Sequence, residues 1–281
     1  MRKLSVSQHG QIPMRDKPDF SSLNSAAPME IIQIPVLTDN YIYLLHDDAS
    51  GMTAAVDPAE AMPVMEILDS RSWTLTHILN THHHGDHVGG NRALKQATGC
   101  RILGWSEAPE LIPEIDEQVV EGDRIQLGHL LCEVLEVPGH TRHHIAFWFV
   151  EERALFCGDT LFAMGCGRLL GGSAGQLWAS LDRLRQLPGD TRVFCTHEYT
   201  QHNGRFALTV DPDNNDLKAR MREVDAARAA GKATVPFLLS EEWVTNPFLR
   251  PESRQIRTQL EMVEESDLAV FSELRKRKDN F

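Results

Sequence analysis

The feature that most constrains this chain is a histidine-rich segment, THHHGDHVGGN, at residues 81–91. Residues 75–80 before it are apolar and β-branched, which is typical of a short buried strand. Residues 91–99 after it carry apolar side chains at helical spacing and end at a glycine, which predicts a short helix. The histidines therefore lie where the carboxyl end of a strand turns into a helix.

The order of side chains in this segment predicts a metal site. If the segment begins extended, His82 and His84 point to one side and His83 to the other. The following glycine lets the chain fold back, so that Asp86 and His87 can face the same point. Imidazoles and a carboxylate that converge on one point are ligands for a first-row divalent metal, and zinc, iron and manganese are all admissible.

Three further strands are predicted, at residues 130–137, 154–157 and 191–195, and each is followed by a possible metal ligand. Their ligands are His140, Asp159 and His197. Such strand ends meet at one edge of an α/β layered domain, so we expect these side chains beside the histidine-rich segment. Together they make seven candidate ligands, which is too many for one tetrahedral ion and suits two ions ~3.5–4 Å apart.

Composition limits the function. The 281 residues, 42% of them hydrophobic, can form one large domain or two smaller ones. A net charge of −12 disfavours nucleic-acid or membrane-surface binding, and no apolar run has the length of a membrane span. The five cysteines are scattered, odd in number and without a C-x-x-C pair, which predicts a reducing compartment and a cytoplasmic protein.

Three regions differ in their patterns. Residues 1–28 mix polar and charged side chains without periodicity, which predicts a disordered extension. Residues 29–200 alternate strand and helix signals and contain all the candidate ligands, so we expect a catalytic domain there. Residues 201–281 carry helical patterns and no strand signal, which predicts a small helical domain.

The ligand motifs resemble those of the metallo-β-lactamase superfamily, in which T-H-x-H-x-D-H, P-G-H-T, G-D-T and a later histidine occur in this order. Within it, the chain resembles the hydroxyacylglutathione hydrolases, or glyoxalase II. The closer resemblance covers residues 29–281 and rests on DNY at 39–41, GDTLF at 158–162, GCGR at 165–168, THEYT at 196–200, NPFLR at 246–250 and RKRKD at 275–279.

The resemblance implies an α/β fold, a metallo-β-lactamase-type αββα sandwich with a small C-terminal helical domain. It also implies two divalent metal ions per chain, with zinc the first expectation and iron or manganese as alternatives. One ion would be bound by His82, His84 and His140. The other would be bound by Asp86, His87 and His197, and Asp159 would bridge the two.

The implied reaction is hydrolysis of S-D-lactoylglutathione and related 2-hydroxyacyl glutathione thioesters to glutathione and a 2-hydroxy acid such as D-lactate, a step in methylglyoxal detoxification. A hydroxide bridging the two ions would attack the thioester carbonyl, and Asp86 and Asp159 would be catalytic through their hold on those ions. A thiolate leaves without strong acid assistance, because an alkyl thiol has a pKa of about 8.5.

Glutathione carries two carboxylates, so an acidic protein needs local cations to bind it. By resemblance, Arg168, Tyr199, Arg275 and Lys278 contact the tripeptide. The basic run that contains the last two also suits a helix C-terminus, where cations complement the helix dipole. Asp57 is expected to orient a ligand imidazole from outside the metal shell. The expected partner is the thioester substrate alone, with no nucleic acid and no membrane, and the chain is expected to be a monomer or a weak homo-oligomer.

A β-lactam hydrolase would usually be exported, and a nuclease would need a basic surface that a net charge of −12 does not supply. Two further alternatives stay open at this stage. The first keeps the fold but makes the protein a sulfur dioxygenase that acts on glutathione persulfide with a single iron; the long helical tail argues against it. The second is a metal-storage or metal-sensing module, which predicts tight metal binding without turnover and leaves the second domain without a purpose.

Overall fold

The structure, a computed structural model, describes residues 29–281, so the predicted disorder of residues 1–28 lies outside the described residues. The first sheet has six strands, which are β1 (Glu30–Val36), β2 (Asn40–Asp47), β3 (Met52–Val56), β4 (His77–Leu79), β5 (Arg101–Trp105) and β6 (Glu117–Val119). The helices that connect them are α1 (Met62–Arg71), α2 (Gly85–Val88) and α3 (Asn91–Thr98), with a 3₁₀ turn at Pro109–Leu111. Strands pair in chain order, antiparallel from β1 to β3 and parallel from β3 to β6.

The later strands are β7 (Arg124–Leu127), β8 (Leu130–Glu136), β9 (Ile145–Phe149), β10 (Ala154–Gly158), β11 (Leu161–Phe162), β12 (Gly165–Cys166), β13 (Arg192–Cys195) and β14 (Phe237–Leu238). Six of them form the second sheet, in the order β14-β13-β10-β9-β8-β7, and β11 and β12 form a small hairpin. In the second sheet β10 and β13 are parallel, so their carboxyl ends lie side by side.

The remaining helices are α4 (Ala174–Leu184), α5 (Thr200–Val210), α6 (Asn215–Ala229), α7 (Leu239–Thr245), α8 (Arg254–Leu260) and α9 (Asp267–Asp279), with a 3₁₀ turn at Pro247–Leu249. Across residues 29–281, every helix is too short or too polar to cross a membrane.

Strand β2 shows why the two sheets stack. All eight of its residues are buried, and its side chains alternate between two cores. Tyr43 packs with Phe147 and Phe156 in the core between the sheets. Leu44, on the opposite face, packs with Val64 of α1 in an outer core. Because successive strand residues face opposite sides, a strand that is covered on both sides has a nearly continuous apolar sequence. The predicted αββα sandwich is confirmed.

The helical region beyond residue 200 shares its core with the sandwich. Phe271 and Leu274 of α9 belong to the same buried cluster as Leu177 and Leu181 of α4. The expectation of no strand in this region is wrong at Phe237–Leu238, which pairs antiparallel with β13. Two residues are too few to produce a periodic strand pattern. The division of the chain into domains at residue 200 stays a prediction.

Candidate metal centre and substrate cleft

Loops at the carboxyl ends of strands from both sheets bring the candidate ligands together. In the first sheet, β3 and β4 are parallel, and Asp57 and the histidine-rich segment follow them. In the second sheet, β10 and β13 are parallel, and Asp159 and His197 follow them. Because parallel neighbours end on the same side, the two pairs of loops meet at one edge of the sandwich, as predicted for these strands.

Three imidazoles form a first group at this edge. His84 Nδ1 lies 3.0 Å from His82 Nε2 and 3.1 Å from His140 Nε2. The outer Nδ1–H of His140 donates to the Arg168 carbonyl at 2.9 Å, so its inner nitrogen carries a lone pair. One proton on His84 could satisfy only one of the two short contacts, whereas a cation at the common point would satisfy all three nitrogens.

The electrostatics of this group favour the metal-binding form of histidine. Burial lowers the pKa of His82 far below its ordinary value, and it also lowers the pKa of His84 and of His140. All three rings are therefore neutral at physiological pH, and a neutral imidazole is the form that coordinates a metal. The donor set fits zinc, iron or manganese.

Asp86, His87 and His197 form a second group. Asp86 Oδ2 lies 3.4 Å from His197 Nε2 and 3.7 Å from His87 Nε2. The Nε2 atom of His87 is buried and has no hydrogen-bond partner among the described residues. A buried polar atom without a partner is costly, and a metal ion at this point would supply one.

Asp159 lies between the two groups. Its Oδ2 is 3.4 Å from His140 Nε2, on the side of the first group. Its Oδ1 is 3.4 Å from His197 Nε2 and 3.6 Å from His87 Nε2, on the side of the second. Thr196 donates to the same Oδ1 at 2.5 Å, which fixes the rotation of the carboxylate. One oxygen therefore faces each group, which is the arrangement of a bridging ligand.

Charge balance in the second group depends on its carboxylates. Burial alone would lower the pKa of His87 and His197, but Asp159 and other nearby carboxylates raise them to about 10 and about 11. A hydrogen bond from His197 holds the pKa of Asp86 well below its usual range. This group therefore attracts positive charge strongly, and a metal cation would displace the ring protons.

Two glycines allow the loops to approach this closely. Gly158, at φ +50°, precedes Asp159, and a Cβ there would lie 2.3 Å from Thr81 Oγ1. At Gly167 a Cβ would lie 2.1 Å from the Asp159 carbonyl oxygen. A side chain at position 158 would push the Asp159 loop away from the histidine-rich segment, and one at position 167 would displace the loops that carry Asp159 and His140 from each other.

The structure places Asp57 where it can orient a ligand, as its predicted role requires. Its Oδ2 accepts from His87 Nδ1 at 3.1 Å and from Thr81 Oγ1 at 2.6 Å, and its Oδ1 accepts from the Thr81 amide at 2.8 Å. Thr81 Oγ1 in turn lies 3.1 Å from His82 Nδ1. One buried carboxylate thus fixes the outer nitrogens of rings in both groups.

Sequence reasoning missed two further orienting residues, Asp39 and Asn40. Asp39 Oδ1 accepts from His197 Nδ1 at 2.9 Å, and Asn40 Nδ2 donates to Asp86 Oδ2 at 3.0 Å. An isolated antiparallel bridge between Asn40 and His197 holds the β1–β2 turn against the second sheet. Both residues belong to the DNY motif on which the resemblance rests, but the sequence assigned them no role, because a polar pair at the start of a strand is equally typical of an ordinary turn.

A cleft of about 370 Å³ opens beside the metal groups. All four predicted substrate-binding residues line it: Arg168, Tyr199, Arg275 and Lys278. The ring of Tyr199 stacks on His197, with centroids 4.7 Å apart and planes at 5°. The cationic side chains of Arg168, Arg275 and Lys278 therefore share this cleft with the metal groups, as a substrate with two carboxylates would require.

Arg275 and Lys278 occupy different environments within the cleft. Arg275 is only 3% exposed, and its Nη1 donates to the carbonyls of Cys166 at 2.9 Å and Gly167 at 3.3 Å. Its Nη2 pairs with Asp279 at 2.9 Å. Lys278 Nζ reaches one backbone carbonyl at 3.5 Å among the described residues. Both Nη atoms of Arg275 are therefore engaged within the protein and its buried Nε has no partner among the described residues, whereas most of the hydrogen-bonding capacity of Lys278 is available.

The hairpin β11–β12 forms the cleft wall after Asp159, and side chains of the helical region hold it. Asn246 Nδ2 donates to the Phe162 and Gly165 carbonyls at 3.2 and 3.0 Å. The Met164 amide donates to the buried Glu242 carboxylate at 2.8 Å. These supports were not predicted, because each joins residues about eighty positions apart in the chain.

Two family descriptions match the chain, and they meet directly after His197. Residues 48–197 match the family described as metallo-beta-lactamase superfamily. Residues 198–281 match the family described as hydroxyacylglutathione hydrolase C-terminus. The first match contains all seven candidate ligands, and the second contains the basic end of α9.

Curated relatives extend over nearly the whole described chain. A protein named hydroxyacylglutathione hydrolase from Methylococcus capsulatus is 58% identical over 253 residues, covering 90% of this chain and 99% of the relative. A protein of the same name from Rhodospirillum rubrum is 54% identical over 253 residues, with the same two coverages.

Solved structures share the fold. The crystal structure of ETHE1 from Myxococcus xanthus has a TM-score of 0.62 and 25% identity, covering 88% of this chain and 97% of that one. The crystal structure of TTHA1623 in a di-iron-bound form has a TM-score of 0.57 and 25% identity, covering 78% of this chain and 99% of that one.

Proposed function

The chain belongs to the hydroxyacylglutathione hydrolase family of the metallo-β-lactamase superfamily, and we infer that it hydrolyses S-2-hydroxyacylglutathione thioesters to glutathione and a 2-hydroxy acid. S-D-lactoylglutathione, which yields D-lactate, is the representative substrate. The observation that carries the chemistry is Asp159, whose two oxygens face two separate ligand groups.

The enzyme uses a pair of divalent metal ions. We assign His82, His84 and His140 to one ion, Asp86, His87 and His197 to the other, and Asp159 to both. This division is supported by the contacts of 3.0–3.7 Å between the facing atoms. When bound, the ions polarise the thioester carbonyl and lower the pKa of a water so that it attacks near neutral pH.

The residues of the chain position the reactants around that chemistry. Asp57, Asp39 and Asn40 fix the orientation of ligand side chains through hydrogen bonds, so the ligands need little reorganisation during the reaction. The cations of the cleft hold the two glutathione carboxylates and so place the thioester at the metal edge. No general acid is required, because the leaving group is a thiolate, and the corresponding free thiol has a pKa of about 8.5.

We propose zinc as the resident metal, because most of the seven ligands are imidazoles, which suit zinc. Iron and manganese accept the same five imidazoles and two carboxylates and are the alternatives.

We also propose a cytoplasmic location. All five cysteines are buried free thiols, which suits a reducing compartment. A monomer or a weak homo-oligomer is our expectation for its assembly, and light scattering tests it.

The experiment is thioester hydrolysis by purified protein, followed as loss of S-D-lactoylglutathione absorbance, with metal counted on the same sample. We expect rapid turnover with about two ions per chain. Absence of turnover, together with one iron per chain and oxygen uptake on glutathione persulfide, would instead identify a dioxygenase. Tight metal binding without either reaction would identify a storage or sensing module.

A further inference from the structure

The ammonium of Lys278 lies in an aromatic environment. The residue is 8% exposed, and its Nζ lies 5.5 Å from the ring centre of Phe206 and 5.2 Å from that of Phe281. Its one hydrogen-bond acceptor among the described residues is the His202 carbonyl, at 3.5 Å. The neighbouring carboxylate, on Asp279, is paired with an arginine instead.

The two rings differ in how firmly they are held. Phe206 is buried in the core and stacks on Phe248, with centroids 5.9 Å apart. Phe281 is 53% exposed, and its ring centre lies 5.6 Å from that of Phe206 and 5.4 Å from that of His202. The electron-rich face of an aromatic ring attracts a cation, and it attracts one more strongly when the cation is shielded from water. A half-exposed phenylalanine is therefore the outer wall of the lysine site.

We propose that Phe281 is a positioning residue for glutathione, because with Phe206 it forms an aromatic clamp that holds the Lys278 ammonium over the cleft without a carboxylate partner. A glutathione carboxylate then becomes the counterion. This inference rests on the proposed function, since it gives Lys278 a glutathione carboxylate to bind. The rings hold the charge in place without neutralising it, which a carboxylate in the same position would do.

The surroundings of the ammonium oppose its charge. Burial, together with the positive charges of Arg275 and Arg168, lowers the pKa of Lys278 to about 8, while Cys166 and Asp279 act in the opposite direction. Replacing an aromatic ring by an aliphatic side chain keeps the site dry but removes the attraction of the ring for the cation. The protonated lysine should then be less stable, and a glutathione carboxylate should bind less tightly.

The test compares Phe281→Leu with Phe281→Tyr in the metal-loaded protein. We expect Phe281→Leu to raise the KM for S-D-lactoylglutathione about fivefold to tenfold and to weaken S-methylglutathione binding, measured by calorimetry, by the same factor. Its kcat should change less than twofold. Phe281→Tyr keeps the ring and should restore most of the affinity. Leu268→Ala removes an exposed apolar side chain from α9, which precedes Phe281, and is the control for damage to that helix.

A double-mutant cycle separates positioning from a general structural role. With Lys278→Ala in place, Phe281→Leu should weaken S-methylglutathione binding by less than twofold, because the cation that the ring holds is gone. Equal affinities of the leucine and tyrosine variants, or a full effect of Phe281→Leu without Lys278, would overturn the clamp while leaving the proposed function intact. If the parent protein neither hydrolyses the thioester nor binds S-methylglutathione, both the function and the clamp are wrong.

Discussion

The two sides of the cleft are built in different ways. The metal side is made of loops at strand ends, and most of its ligands are fixed by hydrogen bonds to outer partners such as Asp57 and Asp39. The other side is made of the β11–β12 hairpin and the helical region, and its cations differ in exposure, since Arg275 and Lys278 are buried and Arg168 is exposed. The first side determines which bond is broken. We propose that the second determines which molecule is placed there, so damage to each should affect different kinetic constants.

The strongest way to break the metal side is Asp159→Asn. An amide cannot neutralise two cations, so we expect kcat to fall about 10³-fold and the metal content to drop below two ions per chain. Kinetics and metal analysis on the same sample measure both quantities. Asp190→Asn, which changes a largely exposed carboxylate, is the control. A variant that still holds two ions and retains a tenth of the kcat would contradict the bridging assignment.

Arg275→Ala should damage the substrate side through its structure as well as its charge. Without the guanidinium, the buried carbonyls of Cys166 and Gly167 lose the hydrogen bonds that Arg275 donates to them. We therefore expect a loss of about 3 kcal/mol in the free energy of unfolding. Urea denaturation measures this loss. Arg277→Ala, on the same helix, removes an arginine whose partner is Glu273 at the surface, and it should cost less than about 1 kcal/mol. Equal losses would show that the burial of Arg275 is unimportant.

Asp39→Ala tests whether an outer partner matters on the metal side. His197 would lose the acceptor for its Nδ1–H, so we expect the affinity of the second metal group to fall about tenfold to a hundredfold. Competition with a chelator measures it. Asp48→Asn, in the next turn, changes a carboxylate that is 91% exposed and should leave the metal affinity unchanged. If both variants bind metal like the parent, the turn has no role in orienting the ligand.

The smallest predicted effect is a pH dependence that belongs to the substrate side. The pKa of Lys278 is about 8, so the side chain is charged below that pH and becomes neutral above it. We expect kcat/KM to decline severalfold through an alkaline midpoint near pH 8, because kcat/KM follows the free enzyme. In Lys278→Arg this alkaline decline in kcat/KM should disappear, since arginine keeps its charge. A decline that persists in that variant belongs to another group.

The sequence predicted the metal side better than the substrate side, for a physical reason. Four of its ligands lie within six residues, and the others follow strands, so local patterns and sheet geometry together indicate one site. Asp39, the hydrogen-bond partner of His197 that was not predicted, is 158 positions away in the chain, and no local pattern indicates that pairing. On the substrate side, the family resemblance singled out Arg275 and Lys278 from the basic run at the end of α9, because the charge pattern alone does not show which side chains turn inward.

Within that run, Arg275 and Lys278 are buried while Lys276 and Arg277 are exposed. Tertiary packing of α9 decides this, and it also makes the two buried cations unequal. The strand at Phe237–Leu238 was missed for a similar reason, because its pairing partner and not its own sequence gives it an extended conformation. Most strands and helices along the chain were predictable from alternating and continuous apolar runs, whereas the αββα arrangement of the two sheets was implied by the family resemblance.

The supports of the β11–β12 hairpin have a consequence for how such a protein can diversify. Every candidate metal ligand precedes residue 200, but the side chains that shape the hairpin come from after it. A lineage that exchanged the helical region for another module would keep the metal ligands and lose Asn246 and Glu242. The hairpin would then have to be rebuilt before a new substrate could be accommodated. The shape of the cleft beside the metal ligands therefore depends on the helical region as well as on the sandwich.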